Sequence, residues 1–339
     1  MPATNLTDLL QTAFTARQSL IERLHAEDTN AYRLFNGSTE GHPGLTVDRY
    51  GDLLLIQTFH EAIDGHDRSE IEAFYAGALP GLVGIYNDRS RANSRIVNPL
   101  PAEVLAEAHK PREFHEMGLR YLVQGRHAGQ DPWLFLDMRA GRRRVMQEAA
   151  GKSVLNLFAY TCGIGIAAAR AGAAHVVNVD FAETNIKVGK ENGRLNDLPI
   201  RMRFVQSDAF AAMRQLAGIG QPNMVRGKKM PAFPKLEKHG FDLVFLDPPR
   251  YAKSAFGVVD IINDYAALMK LALLCTNEGG TLICCNNAAQ ISREVWADQL
   301  QRCATKAGRT IRAIEWIAPE EDFPSHDGQP PLKIALLRV

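Results

Sequence analysis

Apolar side chains recur at helical intervals over residues 5 to 27, at Leu9, Leu10, Phe14, Leu20 and Leu24, and predict an amphipathic helix. The next stretch, YRLFNGSTEGHPGLTVDRYGDLLLIQTF, reads as strand, turn, strand, with Gly-Ser and His-Pro-Gly as punctuation and a hairpin turning at Gly51-Asp52. A small α+β domain over residues 1–110 follows from this order. Residues 111–144 pass from strand-like spacing through Gly, Asp and Pro into an Arg-rich helix, and read as a connector. From Lys152 the rhythm changes: SVLNLF, HVVNVD, MRFVQSD, FDLVFLD and GGTLICCN alternate with helical stretches, which predicts a parallel sheet covered on both faces within residues 145–339. RTIRAIEWI and PLKIALLRV are expected to pair antiparallel at one edge. One insertion, residues 220–240, interrupts the rhythm with Pro, Gly and five basic residues against one acidic.

Length and charge narrow the partners. A chain of 339 residues fits two domains, and 39 basic against 38 acidic residues leave a net charge of +1, so any site for a polyanion must be local. The five cysteines, Cys162, Cys275, Cys284, Cys285 and Cys303, are odd in number and contain no C-x-x-C spacing, which argues against a disulfide framework and against a metal site. MPATNLTDLL lacks a basic flank before a long apolar stretch, and no run approaches the roughly 20 apolar residues of a membrane span. A cytoplasmic protein without a membrane partner is expected.

Ligands of an open α/β sheet collect where loops leave the carboxyl ends of the strands. After VLNLF comes AYTCGIGIAAARAG, where Thr161, Gly163 and Gly165 let the chain pass close to a ligand before an alanine-rich helix; such a turn also occurs for structural reasons. The second strand closes with Asp180, suited to both hydroxyls of a ribose or merely a solvated strand end, and the third with Asp208, suited to an adenine amine. Nicotinamide enzymes place an acid after the second strand too. The fourth exit separates methyl transfer from hydride transfer. Asp247 precedes Pro248, Pro249, Arg250 and Tyr251, so a rigid edge poor in amide hydrogens could lie along a flat ring, with Tyr251 stacked on it.

With these residues together, LNLFAYTCGIGIAA, NVDFAETNI, SDAF and DPPRYAKS resemble the motifs of class I methyltransferases, specifically the bacterial large-subunit ribosomal RNA methyltransferases I and K. YRLFNGSTEGHPGLTVDRYGDLLLIQ is similar to the small central domain of methyltransferase I, and WLFLDMR resembles the element preceding the family's catalytic domain. The resemblance covers about residues 30 to 339. It implies a Rossmann-like class I sheet of seven strands, mostly parallel with an antiparallel last strand, beside a smaller N-terminal α+β domain that serves the RNA substrate. It also implies S-adenosylmethionine as cofactor and contacts to it from Phe135, Asp137 and Arg139; from Phe158, Tyr160, Thr161 and Gly163; and from Asp180, Phe181, Asp208 and Ala209, with Asp247 between cofactor and substrate. RNA, expected to be large-subunit ribosomal RNA rather than DNA, is the implied partner. Departures accompany the likeness. The start is too short for the N-terminal PUA domain of methyltransferase I, Cys162 stands where both relatives have glycine, and the run RHAGQDPWLFLDMR differs around Asp137 and Arg139.

The remaining departure concerns chemistry. Methylating carbon 5 of cytosine needs a thiolate to add at carbon 6. Methyltransferase I carries a candidate thiol just after its fifth strand, where this chain has Asn287 preceded by Asn286, an Asn-Asn pair like that of methyltransferase K, a guanine N7 enzyme. Nitrogen 7 has its own lone pair, so alignment suffices, and Asn286 or Asn287 could orient a base edge. Cys284 and Cys285 keep the cytosine reading open, although alternation lets at most one face a site and a buried thiol explains either. An exocyclic amine is a third target, weakened by Arg250 before the aromatic. Two basic groups could meet phosphates: Arg139, Arg142, Arg143 and Arg144, or Arg226, Lys228, Lys229, Lys235 and Lys238; a solvated or docking helix face and a surface loop are the alternatives. His326 could line the site or be an ordinary loop histidine. Methylation of a small molecule or protein, and a noncatalytic RNA-binding role, remain rival functions.

Overall fold

Asn5 starts the predicted helix: its side chain accepts the Asp8 amide at 2.8 Å, and α1 runs from Leu6 to Ala26 with Leu10, Leu20, Ile21 and Leu24 buried along one face. In the computed structural model, which describes residues 5–91, 94, 100–129, 131–220, 224–225, 228–229, 232–254 and 257–339, the backbone alone is described at 224–225, 228–229, 251–254 and 257–263. The strands β1 (Ala31–Asn36), β2 (Leu45–Tyr50), β3 (Leu53–Thr58) and β4 (Val83–Asp88) form one sheet in that order. The first two pairings are antiparallel; β3 and β4 are parallel, with α2 (Gly65–Ala78) as the crossover. The β2–β3 turn falls at Gly51-Asp52, as the sequence predicts. Gly51 has φ 62°, and a Cβ there would lie 2.6 Å from the Glu113 carbonyl oxygen. Phe14 meets Phe74 and Tyr75 edge-on at 6.1 and 6.4 Å, which packs α1 against α2.

The chain divides into two units, residues 1–136 with 320–328 and residues 137–319 with 329–339. This differs from the expected boundaries at 110 and 144. After α3 (Ala102–His109), the hairpin of β5 (Arg112–Glu116) and β6 (Leu119–Val123) lies in the first unit because its aromatics join that unit's interior. Phe114 is 5.2 Å from Tyr50 and 5.7 Å from Tyr121, and Tyr50 Oη donates to the Leu134 carbonyl at 2.9 Å.

Residues 320–328 also belong to the first unit, although their neighbours in sequence do not. Buried Arg17 donates to the carbonyls of Ala13, Arg33 and Asp322 at 2.9, 2.8 and 3.2 Å and is ion-paired with Glu40. Asp322 accepts the Arg33 amide at 3.0 Å, and Asn36 donates to the Pro324 carbonyl at 3.2 Å. His326 is exposed, 3.1 Å from the Ser38 carbonyl, and so sits on the small unit.

The second unit starts with α4 (Arg139–Glu148) and then alternates: β7 (Ser153–Leu157), α5 (Gly163–Arg170), β8 (His175–Asp180), α6 (Glu183–Arg194), β9 (Arg203–Gln206), α7 (Ala209–Leu216). Two short pairs follow within and after the insertion, β10 (Met224–Val225) with β11 (Lys228–Lys229), and, beyond β12 (Phe241–Leu246), β13 (Tyr251–Ser254) with β14 (Gly257–Asp260). Then come α8 (Ile261–Cys275), β15 (Thr276–Asn286), α9 (Arg293–Lys306), β16 (Ala313–Ile317) and β17 (Lys333–Arg338). The seven-stranded sheet has the order β16-β17-β15-β12-β7-β8-β9, parallel except where β17 meets β15 and β16. This is the class I arrangement the resemblance implies, with the antiparallel edge the sequence predicts. Alternation along its strands feeds two apolar cores: Val244, Leu246 and Cys284 lie in one, Phe245, Ile283 and Cys285 in the other. No described helix is long and apolar enough to cross a membrane.

Candidate active site

The exit of β7 holds an unusual backbone. Phe158, Tyr160 and Cys162 have φ of 56°, 48° and 65°, and they are three of the five non-glycine residues with positive φ among the described residues. Each such conformation costs of order 1–3 kcal/mol and persists only where the surroundings over-determine it. Here they do. The Ala159 amide donates to Val179 at 2.9 Å, the Cys162 amide to Ala159 at 2.7 Å, and the Tyr160 amide to the Asp180 carboxylate at 2.9 Å. Thr161 is buried, and its carbonyl accepts the Asn192 amide at 3.3 Å. Cys162 is fully buried against Gly189 of α6. Gly165 lets α5 approach β8, because a Cβ there would collide with Asn178, which accepts the side-chain amide of Asn156 at 2.9 Å.

Asp180 is 6% exposed and already accepts three hydrogen bonds, from Tyr160 N, Ala182 N at 2.9 Å and Asn185 Nδ2 at 3.1 Å. A carboxylate offers about four acceptor directions, so room remains for a strong external donor such as a sugar hydroxyl. Burial raises its pKa against the opposing pull of those bonds. Asp208 begins α7 as its N-cap, accepting Ala211 N at 3.1 Å; burial raises its pKa too. Its half-buried carboxyl follows Ser207, whose amide donates to the Asp180 carbonyl at 2.9 Å, so the second and third exits are tied together. A strained loop of close-packed backbone and two carboxyls at successive exits fit an adenosyl ligand.

Asp247 directly follows β12 and is half-buried, between buried Pro248 and the core strand. Its pKa is pushed up to about 7, first by burial and then by the negative charge of Asp137, while the Cys285 thiol and the Arg142 guanidinium oppose the rise. The charges of Asp137 and Arg142 thus act on this carboxyl, and Arg139 and Arg142 are 0% and 2% exposed. That burial makes the front of the Arg-rich helix interior, while Arg144 pairs with Glu315 at 2.5 Å. Phe135 is 42% exposed and lies in the first unit. Phe181 and Ala209 follow their strand-end aspartates, half-buried and buried. The side chain of Tyr251, Arg226 and the side chains of Lys228 and Lys229 lie outside the described residues.

The two asparagines after β15 divide sharply. Asn286 is 0% exposed; its Oδ1 accepts the Ala288 amide at 2.9 Å, which closes the turn, while its Nδ2 is buried without a hydrogen-bond partner. Asn287 is half-buried, with an Oδ1 that has no partner. Lys333 holds the turn by donating to the carbonyls of Ala288 and Pro331, both at 3.0 Å. Cys284 and Cys285 point to opposite faces as expected, and both are buried. Burial pushes the Cys284 thiol up to about 12 and the Cys285 thiol well above its ordinary value. Sequence reading missed Gly189 and the neighbourhood of Cys285. Counting in register along the parallel strands would have found the second, since Leu246 faces Cys284.

Residues 87–235 match the family described as S-adenosylmethionine-dependent methyltransferase. A ribosomal RNA large subunit methyltransferase of Deinococcus radiodurans is 30% identical over 310 residues, covering 90% of this chain and 71% of that protein. The chain belongs to this family. The ribosomal RNA large subunit methyltransferase I of Aeromonas salmonicida is 26% identical over 334 residues, covering 93% of this chain and 74% of the relative. A methyltransferase solved as a complex with SAH superposes with TM-score 0.78 at 25% identity, over 98% of this chain and 80% of that one. The protein is thus an S-adenosylmethionine-dependent methyltransferase of class I fold. When bound, the cofactor supplies an electrophilic methyl group on a sulfonium.

Proposed function

We propose that this methyltransferase modifies a base of large-subunit ribosomal RNA by direct transfer, and that the base is guanine, attacking through nitrogen 7. The burial of Cys284 and Cys285 carries the reading. Carbon 5 of cytosine must first be activated by a thiolate, and a thiol with its pKa pushed up to about 12 stays protonated at neutral pH and has no open path to a base. A ring nitrogen with its own lone pair needs only alignment and a tolerant electrostatic environment. Ribosomal RNA as substrate is supported by the names of the relatives.

In this reading the Phe158–Gly163 loop, Asp180 with Phe181, and Asp208 with Ala209 hold the cofactor, joined by Asp137 and Arg139 from the connector. Asp247, rigid Pro248-Pro249 and Asn287 flank the base. Asn287 offers a donor and an acceptor to a base edge, and its half-buried position favours it over fully buried Asn286, each having one amide atom without a partner, Oδ1 in Asn287 and Nδ2 in Asn286. Incubation with tritiated cofactor and, separately, free ribosomal subunits, naked ribosomal RNA and total protein tests the substrate class. Nucleoside mass spectrometry then names the atom. Label in 7-methylguanosine is expected; label in 5-methylcytidine overturns the direct-transfer reading, and label confined to protein overturns RNA.

A further inference from the structure

Asp247 differs from the other two strand-end carboxyls in what its own backbone offers. Asp180 accepts the amide two residues on, and Asp208 the amide three residues on. Asp247 is followed by Pro248 and Pro249, which have no N–H, so the amide two residues on, which serves Asp180, is missing, and Arg250 carries the first backbone N–H after it. Donors from neighbouring elements gain weight accordingly. In the parallel register of β12 and β15, Leu246 is opposite Cys284, so the next step along each strand sets Asp247 beside Cys285. Alternation sends Leu246 and Cys284 into one core and turns Cys285 to the other face, in company with Phe245 and Ile283. The thiol of Cys285, 1% exposed, consequently lies against the carboxyl, and the Asp137 carboxylate and Arg142 guanidinium approach from the turn before α4 and from α4 itself.

We infer that Cys285 is a positioning residue for Asp247: its S–H holds the carboxyl in the orientation that meets substrate, and its sulfur forms no bond to the base. A thiol is a weak donor in water. From a thiol buried in the core, beside a carboxyl that lacks the amide two residues on, one hydrogen bond fixes an orientation that rotation about the Asp247 side chain would otherwise blur. The inference explains why a cysteine sits at the strand end of a site whose chemistry needs no nucleophile.

It rests on Asp247 being the substrate-facing carboxyl, and the experiment separates the two claims. Methyl transfer to RNA is measured for wild type, Cys285→Ala, Cys285→Ser, Asp247→Asn and the Cys285→Ala/Asp247→Asn double variant, with cofactor affinity and Tm determined for each. Cys285→Ala is expected to lower kcat about five- to tenfold with KM for RNA and cofactor affinity unchanged, as suits one lost hydrogen bond to a charged group. Its pH–rate limb shifts to higher pH, because a donor that favours the carboxylate has gone while Asp137 and Arg142 remain. Cys285→Ser restores both. In the Asp247→Asn background, removing the thiol costs nothing further. A silent Cys285→Ala, or an equal loss in both backgrounds, overturns the inference, and the double-variant comparison decides even where the serine variant folds poorly. A denaturation-resistant adduct with fluorinated-cytosine RNA that vanishes in Cys285→Ala overturns it in favour of a nucleophile. Full activity in Asp247→Asn instead sinks the reading of Asp247 itself.

Discussion

The sulfur of Cys162 lies where a side chain on Gly189 would begin: a Cβ built on Gly189 would sit 2.5 Å from it. Gly189 is in the middle of α6, where glycine costs roughly 0.5–1 kcal/mol relative to alanine, so the position is explained by the contact and not by helix propensity. Cys162 in turn is a non-glycine residue held at φ 65°. Gly189→Ala is expected to lower stability by about 1–3 kcal/mol through overpacking and to weaken cofactor binding, since the Tyr160–Cys162 backbone must shift. Adding Cys162→Gly removes the clash and recovers most of the loss. Thermal unfolding and cofactor titration of the two single variants and the double variant check this; additive losses would mean that the residues do not share the space.

Asp247 sets activity against stability. Its folded-state pKa, about 7, is above that of an ordinary carboxylate, so folding favours the protonated form. The stability associated with that proton is fully present below the unfolded-state pKa and is lost as pH rises from about 4 through about 7. Above neutrality the folded protein bears the full cost of a buried charge beside Asp137. Asp247→Asn has no such charge, so its Tm is expected to exceed that of wild type by several degrees at pH 8 and to match it near pH 4, while methyl transfer falls at least tenfold. Calorimetry across this range reads the crossing. A Tm difference independent of pH would detach Asp247 from the effect.

What could be read from the sequence followed local rules. The Gly51-Asp52 turn, the alternation that sends Cys284 and Cys285 to opposite faces, the Asp180 and Asp208 exits and the antiparallel edge all depend on neighbours a few residues apart. What could not be read depends on distant partners. Nothing near Tyr160 announces three left-handed residues; they are held by Val179 and Asp180 on the next strand. Arg139 and Arg142 read in sequence either as phosphate contacts or as a solvated or docking helix face; they are buried, and the Arg142 charge acts on Asp247. The Asn286-Asn287 pair is split by where β15 stops, a boundary that composition does not mark.

Residues 320–328 depend on Arg17, about 300 positions earlier. Arg17→Met removes the donor to Asp322 and takes the ion-pair partner from half-buried Glu40, which keeps the Asn36 amide, a loss of about 1–3 kcal/mol. Arg17→Met with Glu40→Gln relieves the charge without restoring the tie to the loop. Hydrogen exchange is expected to rise at residues 320–328 in both variants, with global stability falling mainly in the first. Unchanged exchange there would show that Phe323, 4.6 Å beneath Arg33, and the Asn36 bond to Pro324 suffice to hold the segment.

Asn286 and Asn287 make the sharpest contrast between structure and chemistry, because they are adjacent and of one type. Asn286→Ala breaks a bond to the Ala288 amide inside a fully buried turn and leaves that amide without its acceptor, a cost of about 1–3 kcal/mol. Its methyl transfer should track the remaining folded fraction, so that activity per folded molecule is close to normal at low temperature. Asn287→Ala breaks no hydrogen bond of its Oδ1 within the protein. Its Tm is expected to stay within a degree or two of wild type while kcat/KM for RNA falls about ten- to a hundredfold, as for loss of a base-orienting hydrogen-bond pair. Asn287→Asp keeps an acceptor and removes the donor, so it should fail on a base edge that presents acceptors, such as the nitrogen 7 and oxygen 6 edge of guanine, while tolerating one that presents an amine. Full activity in Asn287→Asp would therefore take the Asn287 donor out of the case for guanine and leave only the burial of both thiols to support direct transfer.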